Sequence, residues 1–171
     1  MKVTLEALLP KLMIDLSMVT IIASQGKSDL ERSIPRKLRG WRDPDARFLV
    51  LRDNDRGDCR ERKRRLNELA SSAGNPAPLK IRIVCQELEA WFLADTLALV
   101  SAGYLAPGKS PAFSRQNPDE ISHPVHEMEK LIKGYGKISG ATTIAPHLDI
   151  ENTCSASFRN TIQAIRDLTA P

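Results

Sequence analysis

The stretch "RFLVLRDNDRGDC", residues 47–59, decides the fold and raises the main functional question. With Ala46, its apolar half predicts a strand over 46–52, and the near-continuous apolar character favours burial on both faces of a parallel sheet. Three aspartates follow directly, at Asp53, Asp55 and Asp58. The carboxyl ends of strands are where open α/β sheets bind ligands, so the acid cluster lies where a site is expected.

The segments around this stretch alternate between strand and helix patterns. Upstream, the apolar spacing predicts an amphipathic helix over 4–16 with a break at Pro10, a buried strand over 17–23 and a helix over 27–40. Downstream, it predicts a helix over 58–74, a strand over 79–85 and a helix over 86–100. Strands separated by helical segments indicate an α/β fold with a mostly parallel sheet flanked by helices.

The rest of the chain is less regular. Residues 103–124 hold six of the glycines and prolines and predict a loop or insertion. Residues 125–150 predict two short helices joined through a turn at 134–140, and 155–168 predict a terminal helix capped by Ser155 or Ser157. We therefore expect one domain over 1–171, with an α/β core at 1–102, the insertion at 103–124 and a helical part at 125–171.

Length and composition exclude several classes of protein. A chain of 171 residues and 19.0 kDa is long enough for one hydrophobic core without covalent cross-links. The three cysteines include no C-x-x-C pair, which argues against a disulfide framework or a zinc knuckle and favours a reducing compartment. No apolar run approaches the roughly 18–20 residues of a membrane span. We expect a cytoplasmic protein with no membrane partner.

Positive charge is concentrated in one region. The net charge is +4, but residues 27–65 carry 14 Lys and Arg against 8 Asp and Glu, a local +6. A basic region around an acid cluster suits a site that attracts a polyanion such as nucleic acid while keeping carboxylates for a metal. A solvated helix face would give the same pattern.

The D-x-D pair has two interpretations. If the strand continues through it, Asp53 and Asp55 share a face about 6–7 Å apart, close enough to hold a hard cation between them. Oxygen-only ligands favour Mg²⁺ or Mn²⁺ over zinc. Alternatively, the aspartates cap the next helix and shape a turn.

A second acidic pair follows the next strand. Glu87 and Glu89 come directly after the predicted strand 79–85, beside Trp91 and Phe92, which we expect in the core. Two neighbouring strand ends would then bring four carboxylates together. Like charges at close range are costly unless a cation neutralises them, so this convergence favours a metal.

Five blocks in order give the chain a family resemblance: "GKSDL…R…LRGWR", "LRDNDRGDC", "VCQELEAWFLAD", "YGKISGA" and "SASFR". Together they resemble the bacterial DUF4276 proteins, a group similar to Toprim domains and to the Toprim half of OLD-type nucleases. The resemblance implies a Toprim-like α/β sheet. In it, Asp53 and Asp55 match the D-x-D metal ligands, and Glu87 and Glu89 match the acidic pair after the next strand.

The chain departs from that pattern at its beginning. Toprim-like proteins carry a glutamate at the end of a first strand, whereas this chain begins with "MKVTLEALLPKLM", inside the helix that follows that strand. We expect that upstream coding sequence, or another chain or segment, supplies a strand beside 17–23. Glu6 lies within the helix and does not replace that glutamate.

Two functions follow from these patterns. The first is a Mg²⁺- or Mn²⁺-dependent phosphodiesterase acting on DNA or RNA, with Asp53, Asp55 and Glu87 as metal ligands and Glu89 completing the catalytic set. Candidates for holding phosphate are Lys27, Arg52, Arg56 and Arg159. The second is a non-catalytic Toprim-like partner subunit of a separate ATPase, in which the acids are structural or regulatory. Either protein could form a homo-oligomer.

Overall fold

The computed structural model of the protein describes residues 1–170. Two strands, β1 (Phe48–Asp53) and β2 (Leu79–Val84), pair in parallel, from Phe48 opposite Leu79 to Asp53 opposite Val84. The helices in chain order are α1 (Lys2–Leu8), α2 (Lys27–Gly40), α3 (Cys59–Ser71), α4 (Glu89–Leu93), α5 (Thr96–Ser101), α6 (Pro124–Leu131), α7 (Lys137–Ile144) and α8 (Ala156–Thr169). The fold is thus mixed α/β with a small parallel sheet and flanking helices.

One face of the sheet packs on α2 and α3. Ile34 and Leu38 of α2, Leu66 of α3 and Ile81 of β2 form a buried cluster, against which the β1 side chains Phe48 and Val50 pack. Asp58 ends the loop before α3 and accepts hydrogen bonds from the backbone N–H groups of Arg60 and Glu61. The third aspartate of the opening stretch is therefore a helix cap, as the structural interpretation predicts.

A larger cluster joins the two ends of the chain. Trp91 and Phe92 of α4 are fully buried, as predicted, together with Leu8 of α1, Met128 of α6 and Phe158 of α8. The rings of Trp91 and Phe158 stack with their centroids 4.9 Å apart. Because this cluster draws on α1, α4 and the C-terminal helices, it fixes the start of α4 next to the carboxyl end of β1.

The predicted strand over 17–23 is wrong. Residues 16–18 form a short 3-10 turn, residues 19–24 pair with no strand among the described residues, and Met18 is 85% exposed. Apolar, β-branched residues favour a strand only when a neighbouring strand supplies hydrogen bonds, and here the sheet has two strands. For the same reason β1 is only half-buried along most of its length. The expected burial of this strand on both faces is therefore wrong.

Two predicted helices are shorter or split. The helix expected over 4–16 ends at Leu8, and a 3-10 turn begins at Pro10, where the missing N–H prevents continuation. The helix expected over 86–100 is divided into α4 and α5, because the Asp95 side chain caps α5 by accepting from the Ala98 N–H. The helix expected over 27–40 has the predicted bounds, with Gly26 at its N-cap.

The irregular C-terminal part folds onto the core. Residues 103–124 contain two 3-10 turns, Ala112–Arg115 and Pro118–Glu120, and otherwise run as loop. Helices α6 and α7 are the two short helices expected around the turn at 134–140, and α8 is capped by the Ser155 side chain. Pro171, the last residue of the predicted helical part, lies outside the described residues. No helix within residues 1–170 has the length and apolar character needed to cross a bilayer.

Candidate acidic site at the end of the sheet

Asp53 occupies the last position of β1, at the carboxyl end of the sheet. Burial raises the pKa of its carboxyl group to about 6, and the charges of Glu89 and then Asp55 add to the increase. Its Oδ1 atom is buried and has no hydrogen-bond partner among the described residues. A buried carboxylate oxygen without a donor is unfavourable, so this atom lacks the partner that a structural carboxylate normally has.

Glu89 is the second buried carboxylate of the site. It begins α4, is 3% exposed, and accepts a hydrogen bond of 3.3 Å from the Tyr135 hydroxyl group. Burial raises the pKa of Glu89, while the Lys137 ammonium and the Tyr135 hydrogen bond lower it. The resemblance and the strand-end argument both pointed to this residue, and the structure brings it into the electrostatic environment of Asp53.

Asp55 follows the second of its two interpretations. The strand ends at Asp53, and Asp55 and Arg56 take left-handed conformations with φ of 47° and 59°. Asp55 therefore does not continue the β1 face, so the shared face that a continuing strand would give is not formed and Asp55 lies in a turn. Its exposed carboxylate lies 3.9 Å from Lys27 Nζ, although its charge still reaches Asp53. Asp55 thus forms the solvent side of the site.

Glu87 contacts the C-terminal helices. It accepts a hydrogen bond from the Val125 N–H at 3.3 Å and lies 3.6 Å from Lys137 Nζ. Val125 belongs to α6 and Lys137 to α7, so Glu87 links the site to both helices. Its charge also contributes to the raised pKa of Glu89.

Of the four predicted phosphate-binding residues, one is buried and three are exposed. Arg52 is 7% exposed, and its guanidinium donates to Glu31 at 2.7 Å, so this conformation does not present it to a phosphate. Arg56 and Lys27 are exposed beside Asp55 at the edge of the site. Arg159 is exposed on α8 and donates to the Thr153 carbonyl at 2.7 Å.

Three groups near the carboxylates were not predicted from the sequence. Lys137 and Tyr135 both act on Glu89, and the Lys137 charge also reaches Asp53. The α-amine of Met1 is the third: burial lowers its pKa, while the charges of Asp53 and Glu89 raise it. The only signal for the first two was the block "YGKISGA" in the family resemblance, where neither residue had a role.

The donor set fits a hard cation in part. Carboxylate oxygens are the ligands that Mg²⁺ and Mn²⁺ prefer, and the unpartnered Asp53 Oδ1 suits such an ion. Within residues 1–170, no three His, Cys, Asp or Glu side chains lie close enough to hold a metal ion together. Mg²⁺ sites commonly use one or two carboxylates and complete their octahedron with water and substrate phosphate, so two carboxylates suffice for that type of site.

Comparison with known proteins identifies the family. The model of the family described as "Domain of unknown function (DUF4276)" matches residues 1–166, so the chain belongs to this family. No curated protein matches the chain significantly. No solved structure matches it significantly either.

Proposed function

We propose that this DUF4276 protein is a Toprim-like, Mg²⁺- or Mn²⁺-dependent phosphodiesterase that acts on nucleic acid. One observation carries the proposal: Asp53, whose buried Oδ1 has no partner and whose pKa is raised to about 6, shares the carboxyl end of a parallel sheet with the buried Glu89. Structural carboxylates in a core are normally paired, whereas a site that binds a cation leaves an oxygen free.

The Toprim-like part of the proposal has its own support. The chain places an acidic residue at the end of β1 and an acidic pair just after the neighbouring parallel strand β2, with helices packed on the sheet. In open α/β sheets, this end of the strands is the usual place for a ligand. The order of the motifs matches the family pattern from which the Toprim resemblance comes.

Each residue of the proposed site has its own role. Asp53 offers the free oxygen to the cation, and Glu89, held by Tyr135, provides the second carboxylate. A bound Mg²⁺ would supply water activation and stabilisation of the leaving oxygen. Lys27 and Arg56 lie at the solvent side of the site, where their charges attract and orient a phosphodiester.

A cleavage assay tests the proposal. Supercoiled plasmid and labelled oligonucleotides are incubated with the protein and Mg²⁺ or Mn²⁺, and the rates are compared with those of Asp53→Asn and Glu89→Gln. Each substitution should lower the metal-dependent rate by at least about 100-fold, equivalent to about 3 kcal/mol of barrier. Asp45→Asn, an exposed acid outside the site, is the matched control and should keep the wild-type rate. Cleavage by wild type that survives Asp53→Asn would contradict the proposal.

A second candidate function is a non-catalytic partner subunit of a separate ATPase. The observation that favours it is that no three-residue metal group is assembled within the described part of the chain, residues 1–170. This function predicts no cleavage by the wild-type protein with either cation and no change in nucleic-acid affinity when Asp53 is replaced. It also predicts co-purification with an ATPase when both are expressed from their native locus.

A further inference from the structure

The basic region 27–65 is less uniformly available than its sequence indicates. Glu31 binds two of its arginines, Arg52 at 2.7 Å and Arg65 at 2.8 Å. On α3, Arg64 is held between Glu61 and Glu68. These cations are neutralised by neighbours, so the local excess of positive charge must be located elsewhere.

Three arginines of α2 contribute to that excess and lie on one helix face. Arg32, Arg36 and Arg39 are exposed and form no ion pair with any residue in 1–170. Within residues 1–170, the only hydrogen bond that their guanidinium groups donate is a long one, from Arg39 to the Ser72 carbonyl at 3.3 Å. They follow i, i+4, i+7 spacing, which places three side chains in one stripe along a helix. We call these three residues the arginine stripe.

The stripe points away from the core. Ser33, Ile34 and Leu38 form the buried face of α2, about half a turn from the arginines. At 1.5 Å per residue, the stripe covers about 10 Å of the helix axis. Lys27, at the first turn of α2, lies 3.9 Å from Asp55, so the helix that carries the stripe begins at the acidic site.

We propose that the arginine stripe binds the phosphate backbone of duplex nucleic acid. The choice of nucleic acid rests on the proposed function, whereas the binding itself needs neither the metal nor catalysis. Each guanidinium fork can grip a phosphate, and 10 Å corresponds to about three phosphates of one strand at 3.4 Å of rise each. Contacts of this kind position the duplex without reading its sequence.

The surroundings of the stripe favour a duplex over other polyanions. The large exposed apolar side chains lie outside α2, at Met13, Leu16, Met18, Ile22, Leu97 and Ile138. A helix that binds a membrane surface needs such side chains beside its basic residues. No aromatic residue lies within α2, so the stripe offers no stacking platform for single-stranded bases.

The test measures binding without any divalent cation. A labelled 20-base-pair duplex is titrated in EDTA at several salt concentrations with wild type, with R32Q/R36Q/R39Q, and with K109Q/R115Q/K133Q. The control residues are exposed, form no ion pair within 1–170 and change the net charge equally. The stripe variant should weaken binding at least about 10-fold and lower the salt slope by about 2–3, at roughly 0.9 per phosphate. The control variant should change either quantity little.

Further variants separate this inference from the proposed function. Asp53→Asn should bind the duplex in EDTA at least as well as wild type, so a loss of cleavage in that variant leaves the stripe standing. Should the triple variant fail to fold by circular dichroism, Arg36→Glu alone tests the same contact and should weaken binding by at least about 3-fold. Three results would overturn the proposal. The stripe and control variants could lose duplex affinity equally, or neither could lose any. The wild-type protein could also bind vesicles with 25% phosphatidylserine more tightly than the duplex.

Discussion

Two polar clusters are enclosed in this protein, and they differ in how completely their hydrogen bonds are made. The first, the serine network, consists of Asp119, Ser155, Ser157 and the Trp91 indole. Asp119 accepts from the Ser155 hydroxyl at 2.6 Å and from the Ser157 N–H at 2.9 Å, and the Ser157 hydroxyl oxygen accepts from Trp91 Nε1 at 2.9 Å. The second is the carboxyl end of β1, where Arg52 Nε, Asp53 Oδ1 and Asn54 Oδ1 are buried and have no hydrogen-bond partner in residues 1–170.

The difference in hydrogen bonding supports the proposal of a site at the end of β1. The serine network fastens the first turn of α8 to α4 and to the loop before α6, and its members satisfy one another. At the end of β1, three consecutive residues each leave one polar atom unsatisfied, and two left-handed residues follow them. Unpaired buried groups and unusual backbone cost stability and are concentrated at functional sites.

The largest expected effect comes from breaking the satisfied cluster. Asp119→Ala removes both acceptors at the start of α8 and leaves the Ser157 N–H without its partner, which should lower the free energy of unfolding by about 3 kcal/mol. Urea denaturation at pH 7 measures the change. Glu129→Ala, which removes an exposed carboxylate 3.6 Å from His126, is the control and should cost less than about 0.5 kcal/mol. A loss no larger than that of the control would show that the network contributes little.

The unsatisfied cluster should respond in the opposite direction. Burial raises the pKa of Asp53 from 3.8 to about 6, so between these values the folded protein binds more protons than the unfolded chain. Stability attributable to this group therefore falls as the pH rises through that window, and the cost is complete above about pH 6. Asp53→Asn removes the cost and should raise the free energy of unfolding by about 2 kcal/mol at pH 8.

The pH dependence of that gain is the decisive feature. At pH 4, Asp53 is almost fully protonated in the folded protein and only partly ionised in the unfolded chain, so the asparagine variant should gain little there. Urea denaturation of wild type and variant at pH 4 and pH 8 measures both ends. An equal change at the two pH values, or a loss at pH 8, would contradict an ionised, unpaired carboxylate at this position.

The smallest effect concerns the one hydrogen bond that Tyr135 makes to the site. Tyr135→Phe removes a 3.3 Å bond to Glu89, so the free energy of unfolding should change by less than about 1 kcal/mol. The same bond lowers the pKa of Glu89, so its loss should raise that pKa further. NMR titration of the Glu89 carboxyl group detects the shift, and Tyr104→Phe is the control. An unchanged Glu89 pKa would remove Tyr135 from the site.

Elements with local signals were predictable from the sequence. The helix 27–40, the two strands and the terminal helix appear within a few residues of their predicted bounds, because apolar spacing specifies them locally and Ser155 caps the terminal helix. The strand prediction for segment 17–23 is wrong because a strand forms only beside a neighbouring strand, and the local sequence pattern does not show whether one is present. The helix predicted over 86–100 is divided because the Asp95 side chain caps α5. The same side chain accepts a hydrogen bond from the Asp149 N–H at 2.8 Å, a contact between residues that are distant in the chain.

The candidate site was predictable in its carboxylates and not in its surroundings. Asp53 and Glu89 were found because they follow two apolar strands, and parallel strand ends meet at one edge. The left-handed turn at Asp55 agrees with the interpretation of the aspartates as turn residues, because aspartate tolerates this backbone conformation, but the sequence did not decide between that interpretation and a continuing strand. Tyr135 and Lys137 lie more than 40 positions from Glu89 in the chain, and only the packing of α6 and α7 brings them to it.

Metal titration tests the central claim, that Asp53 binds a divalent cation, most directly. Calorimetry with Mg²⁺ and Mn²⁺ gives the affinity, and Mn²⁺-induced broadening of amide NMR signals gives the location. Wild type and Asp45→Asn should bind the cation with a dissociation constant below millimolar, and their amide signals around Asp53 and Glu89 should broaden first. Asp53→Asn should bind the cation at least about 10-fold more weakly. Equal affinity in wild type and Asp53→Asn, or broadening centred away from these two carboxylates, would contradict the claim.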